Sequence, residues 1–240
     1  MSSTLRQMTL QISLDDAATF DNYFVSAQNR AAVEYLRTPS RDALAQFIYL
    51  WGPEGVGCSH LAQALCHQAE SRGEGCFYLP VGQFPDLRPE VLEGLEAYPL
   101  VCLDDFERVV GNDAWERAVF TLFNSMKEAG ARLLVCATCS PRELPVSLPD
   151  LHSRLQSGLV FPLQSLHDEE KRQALHMRAT HRGIQLSEDV LNYVLQRNSR
   201  SMTALFGLLE RLDQYSLQTQ RRITVPLVRE LMEAASLASE

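Results

Sequence analysis

Eight residues, Gly52-Pro53-Glu54-Gly55-Val56-Gly57-Cys58-Ser59, join the apolar run Phe47-Ile48-Tyr49-Leu50 to a helical pattern that opens at His60. Few local structures accommodate three glycines between an apolar strand and a helix. One that does brings backbone N–H groups to a single point beside the partial positive charge of a helix N-terminus. The frame is that of the phosphate-binding loop, G-x-x-x-x-G-K-[ST], with Cys58 at the lysine position. That lysine would meet the β- and γ-phosphates as a point charge, and a thiol carries none. The loop reads as one that holds a nucleotide and is poorly equipped to hydrolyse it.

The rest of the chain supplies the partners such a loop needs. Apolar runs at 47–50, 76–80, 99–103, 132–137 and 158–163 predict strands, with helical patterns near 27–36, 60–72, 89–97 and 113–129 between them. In the last of these, Trp115, Ala118, Val119, Leu122, Phe123 and Met126 fall on one face. Strands separated by helices imply an α/β domain with a mainly parallel sheet and right-handed crossovers. After Leu163 the strand signals stop, and helices are predicted near 168–182, 187–197, 200–217 and 224–236. Gly183 reads as a helix C-cap and Ser187 as an N-cap. The expected organisation is a polar N-terminal tail over 1–15, a nucleotide-binding domain over 16–163 and a small all-helical domain over 164–240.

Composition excludes several classes of function. A net charge of −8 argues against broad electrostatic DNA binding. No run approaches the roughly 20 apolar residues of a membrane span, and Met1-Ser2-Ser3-Thr4-Leu5-Arg6 lacks the apolar core of a signal peptide. Of the 6 cysteines, Cys66, Cys76, Cys102 and Cys136 sit in apolar runs, as reduced core cysteines of a cytoplasmic protein do. Cys136-Ala137-Thr138-Cys139 has C-x-x-C spacing without a second pair and ends a strand, so neither metal nor redox chemistry is expected there.

Several further residues point to phosphate chemistry. Leu100-Val101-Cys102-Leu103 runs into Asp104 and Asp105, a strand end that serves phosphate-loop proteins as their metal and water site. Asp104 would steer Mg²⁺ together with the Ser59 hydroxyl when a triphosphate is bound, and Asp105 stands where many ATPases carry a glutamate. Thr138, at the end of another strand, would lie between the two signals and face the γ-phosphate position. Arg154 closes a short helical segment before the last strand, where its planar charge would act on a neighbouring molecule's phosphate. Arg200 opens a helix of the second domain, from which it would fold back over the nucleotide.

Together these residues resemble the AAA+ initiators of bacterial replication, the DnaA group, from Thr19 to about Met232. The resemblance implies an adenine nucleotide, ADP rather than ATP, with Asn22 in a segment that cups the base. Gly52, Gly55, Val56, Gly57, Cys58, Ser59, His60 and Arg200 would line its phosphates. It also implies an arginine finger at Arg154 and sensor positions at Thr138 and Arg200. Little chain follows Met232, so the expected relative is one without the initiator's DNA-binding domain, similar to the DnaA regulatory inactivators. In that group a tail peptide docks on the polymerase sliding clamp (its beta subunit). Gln7, Met8, Leu10 and Ile12 resemble that peptide, with Met8 where leucine is usual. The implied partners are the clamp and the DnaA initiator, with DNA reached only through the clamp, in the cytoplasm at the nucleoid. The implied function is stimulation of the initiator's ATP hydrolysis, which prevents re-initiation. A homo-oligomer remains open, as do an autonomous ATPase of the helicase-loader type and a nucleotide-free scaffold.

Overall fold

The apolar runs form one parallel sheet. In the computed structural model, which describes residues 14, 15, 17–38, 46–198, 201–219 and 221–237, the strands are β1 (Phe47–Trp51), β2 (Cys76–Pro80), β3 (Leu100–Asp104), β4 (Arg132–Ala137) and β5 (Leu159–Pro162). Their spatial order is β2-β3-β4-β1-β5. Tyr49 pairs with Val135 on one side and Val160 on the other, which puts the loop after β1 next to the end of β4. β3 is buried along its whole length, as a strand covered on both faces requires, and its run of apolar residues shows no alternation.

Alternate strand residues feed two cores. Phe47, Tyr49, Leu79, Val101, Leu103, Leu133 and Val135 face α3 (Asp113–Glu128) and α4 (Pro149–Ser157), where Trp115, Val119, Phe123, Leu151 and Leu155 cover them. Ile48, Leu50, Leu100, Cys102, Leu134 and Cys136 face α1 (Arg30–Arg37) and α2 (Cys58–Ser71), through Val33, Leu36, Leu61 and Leu65. Helix α3 begins where expected because the Asn112 side chain accepts hydrogen bonds from the N–H groups of Ala114 and Trp115.

Four further helices close the described chain: α5 (Asp168–His181), α6 (Glu188–Asn198), α7 (Met202–Thr219) and α8 (Val225–Leu237). They share a third core of Leu175, Val190, Leu191, Leu205, Leu208 and Val228. One expected element is absent. Residues 89–97 do not form an α-helix but two 3-10 turns, Pro89–Leu92 and Leu95–Ala97. Gly94 between them adopts φ 81°, a left-handed conformation that ends helical hydrogen bonding after one turn.

Candidate functional site

The loop after β1 has the backbone that phosphate binding requires. Gly55 and Gly57 have φ of 78° and 105°, and Gly57 directly precedes α2, whose first two residues are Cys58 and Ser59. A side chain at Gly57 would begin 2.7 Å from Tyr23 Cε2, so only glycine fits beneath that ring. The Tyr23 hydroxyl donates to the Val56 carbonyl at 3.4 Å. Gly52 is buried at the base of the loop, its N–H donating to the Ala137 carbonyl. This arrangement turns the loop's glycine corner toward the helical domain.

Between loop and helices lies a cleft of about 630 Å³, its open mouth included. Asn22, Tyr23 and Phe24 form one wall, Glu54, Gly55, Val56, Gly57 and His60 the second, and Ser165, Leu166, Lys171, Ala174, Ser201, Met202 and Phe206 the third. A cleft of this size accepts a small ligand. His60 Nε2 lies 2.8 Å from the Thr19 carbonyl, and its ring centroid is 5.5 Å from that of Tyr23. Burial lowers the His60 pKa, so the ring is neutral and donates through Nε2. The helical domain grips the same N-terminal segment. Arg178, buried and with a pKa lowered by that burial, donates to the Ala17 carbonyl at 3.1 Å and lies over the Phe206 ring. His181 Nδ1 meets the Asn22 side chain.

The acidic end of β3 is arranged differently from expectation. Asp104 is 3% exposed; one carboxylate oxygen accepts from the Tyr78 hydroxyl at 2.6 Å and the other from the Asp105 N–H at 3.0 Å. Each Asp104 oxygen keeps a lone pair beyond these bonds, and Ser59, the other expected magnesium ligand, is exposed in the first turn of α2. Asp105 has φ 57°, and its carboxylate rests against Gly82, just after β2. Burial, then the charges of Asp104 and Glu107, raise its pKa. Glu107, which the sequence reading passed over, accepts from the Thr138 N–H at 3.2 Å and ties the ends of β3 and β4. Cys58 is half-buried, and its thiol is pushed up to about 12 by burial and by the charges of Asp104 and Glu107. The lysine position therefore holds a neutral group facing two carboxylates.

Arg154 lies at the other end of the sheet. Its guanidinium sits 5.4 Å from the Phe123 ring centroid, in a pocket shared with Phe47, Lys127, Leu133 and Gly158. Phe47 is the first residue of β1 and the loop follows its last, Trp51, a separation of about 17 Å at the rise of an extended strand. The cleft brings Asn22, Gly55, Val56, Gly57 and His60 together; Gly52, Cys58, Ser59, Asp104 and Thr138 do not line it, and Arg154 is remote. Gln7, Met8, Leu10, Ile12 and Arg200 lie outside the described residues. Lys171, Ser201, Met202 and Phe206 were not foreseen, because only the docking of the helical domain brings them to the loop.

The fold has solved relatives. Domain III of the replication initiation protein DnaA from Thermotoga maritima superposes with a TM-score of 0.77 at 21% identity, covering 92% of this chain and 98% of that one. AMPPCP-bound DnaA from Aquifex aeolicus gives 0.66 at 22% identity, covering 83% and 66%. A point variant of RuvB from Thermotoga maritima gives 0.64 at 16% identity, covering 90% and 73%. The parallel sheet, glycine loop and appended helices share the fold of these domains. Within the appended helices, residues 168–232 match the family model described as Hda, lid domain.

Proposed function

We propose that this protein regulates the initiation of chromosome replication by activating another protein's ATPase. Tethered through Gln7, Met8, Leu10 and Ile12 to the DNA-loaded sliding clamp, it presents Arg154 to ATP held by the DnaA initiator. The resulting hydrolysis prevents re-initiation. The observation that carries this reading is the position of Arg154, at the end of the sheet remote from its own loop. An arginine so placed has no access to a phosphate in its own cleft but can reach one on an adjoining molecule. A finger supplied in trans is worth roughly 10³ to 10⁵ in rate in GTPases, so one residue can carry the activity.

The chain's own cleft fits an adenine nucleotide as a brace. Tyr23 and Asn22 would hold the base, and the N–H groups between Gly55 and Ser59 the phosphates. Bound there, the nucleotide supplies negative charge and a flat stacking surface between loop and lid. Cys58 favours ADP over ATP, since the γ-phosphate has lost its lysine. An autonomous ATPase is disfavoured because Asp105 points to Gly82 and Cys58 carries no charge. The test is an initiator ATPase assay on clamp-loaded DNA, with and without this protein. Stimulation that disappears in Arg154→Ala, with clamp and nucleotide binding intact, is expected. Full stimulation by that variant, or turnover by this protein alone, overturns the reading.

A further inference from the structure

His60 borders the cleft with a ring nitrogen that no other described residue engages. Its Nε2 lies 2.8 Å from the Thr19 carbonyl. A carbonyl can only accept, so Nε2 carries the proton and donates. In a neutral imidazole the other nitrogen, Nδ1, is then an acceptor, and burial favours the neutral ring. His60 makes no second hydrogen bond among the described residues. Among those residues, every buried side-chain nitrogen and oxygen has a partner. Nδ1 has none, so it is not sealed in. It opens to the space that His60 lines, which is the cleft. The facing wall differs. Tyr23, whose ring centroid lies 5.5 Å from that of His60, bonds to Val56, and the Asn22 side chain to Ala17 and His181.

An acceptor so placed sorts ligands by what they donate. An ionised phosphate offers only acceptors and has no bond to make with Nδ1; its place is at the loop N–H groups. The group that meets His60 must therefore belong to the nucleoside. We infer that His60 Nδ1 accepts a hydrogen bond from a donor of the bound nucleoside, either a base amino group or a ribose hydroxyl. His60 is then a specificity-determining residue of the cleft. A site built around such a bond rejects an analogue that lacks the donor, because its own polar atom is left unpaired. The inference rests on the nucleotide-binding reading above and adds which end of the nucleotide His60 reads.

The test is calorimetric titration of the full chain, wild type and His60→Gln, with ADP, its 2′- and 3′-deoxy forms and inosine diphosphate. Each deoxy form lacks one ribose hydroxyl, and inosine lacks the base amino group. Glutamine reaches the place of Nε2 and can still donate to Thr19, but it puts no acceptor where Nδ1 stands. Wild type should bind one of the three analogues about fivefold more weakly than ADP, as for loss of one neutral hydrogen bond. That analogue names the donor. His60→Gln should bind ADP about fivefold more weakly and should no longer tell it from that analogue. In wild type, the nitrogen-15 resonance of Nδ1 should shift when ADP binds, a readout that needs no variant to fold. Wild type that binds every analogue as tightly as ADP overturns the inference, as does an Nδ1 resonance that ADP leaves unmoved. So does a His60→Gln that weakens ADP and all analogues equally while wild-type selectivity persists, the mark of a structural role. Wild type that binds none of these nucleotides removes the nucleotide reading itself, and is told apart because it is read on the unaltered chain.

Discussion

Tyr78, the middle residue of β2, donates a 2.6 Å hydrogen bond to Asp104, the last residue of β3. Asp104 has a phenol as its side-chain donor, and its charge acts on the neutral thiol of Cys58. With the lysine absent, a buried carboxylate needs another donor, and the β2–β3 register supplies one. Burial and the Asp104 charge raise the Tyr78 pKa, which keeps its proton available to donate.

Tyr78→Phe should destabilise the protein by about 2 kcal/mol, the usual loss when a hydrogen bond to a charged group is removed. Urea unfolding measures it. The loss should shrink in a Cys58→Lys background, where an ammonium can take over as partner. Equal losses in both backgrounds would show that the two positions are not coupled.

Cys58→Lys alone should shift nucleotide preference. Its ammonium would enter a site with two carboxylates already facing it, and it would add a point charge at the γ-phosphate position. ATP affinity relative to ADP should rise by about tenfold, read by calorimetry. Wild type that already binds ATP clearly more tightly than ADP would contradict the role given to the cysteine.

Stability should fall at alkaline pH. Burial raises the Cys102 and Cys136 thiols, and the Cys66 thiol is raised first by its bond to Cys102, with Sγ atoms 3.6 Å apart. Below the unfolded value of 9.0 both states hold these protons and the contribution is complete. Above it the unfolded chain releases protons that the native state retains. Stability then drops by about 1.4 kcal/mol per pH unit for each buried thiol. Tyr23, Tyr49 and Tyr78, also raised by burial, add to the slope above pH 10. Urea titrations from pH 8 to 10.5 should show this decline, and a flat profile would refute it.

What could be read from the chain were the features written locally. Phe47 to Leu50 and Leu100 to Leu103 are apolar without alternation, the mark of strands buried on both faces. The glycine spacing before Cys58 fixes a turn whatever surrounds it. Residues 89–97 misled because their apolar spacing is helical, while Gly94 takes a left-handed conformation that composition does not reveal. The contacts of Tyr78 with Asp104, Glu107 with Thr138 and Arg178 with Ala17 join residues 26, 31 and 161 positions apart. Such contacts depend on strand register and lid docking, so no local pattern announces them.

Glu116 should prove the most sensitive carboxylate in the fold. It is 1% exposed and accepts from the N–H groups of Gly111, Ser147 and Leu148 at 2.8 to 3.1 Å. These bonds fasten α3 to the start of α4, the helix that carries Arg154. In Glu116→Gln the amide would turn a donor toward other donors, at a cost of about 2–3 kcal/mol. Urea unfolding measures that cost, and a change below about 0.5 kcal/mol, typical of a surface site, would show that the bonds are dispensable.

Arg154 allows a sharper distinction than removal alone. Its guanidinium packs over Phe123, and its planar fork can hold two phosphate oxygens at once. Lysine keeps the charge and loses the fork. If the residue acts as a geometric partner in the transition state of initiator-bound ATP, Arg154→Lys should lose about a hundredfold or more in stimulation. Arg154→Ala should fall to the unstimulated rate. Both variants should bind ADP and clamp as wild type does, and both should unfold within about 1 kcal/mol of it, since a cation–π contact at a half-exposed site is worth little more. Steady-state hydrolysis on clamp-loaded DNA separates the cases. Full activity in Arg154→Lys would mean that charge alone suffices, and would reduce Arg154 from a finger to an electrostatic contact.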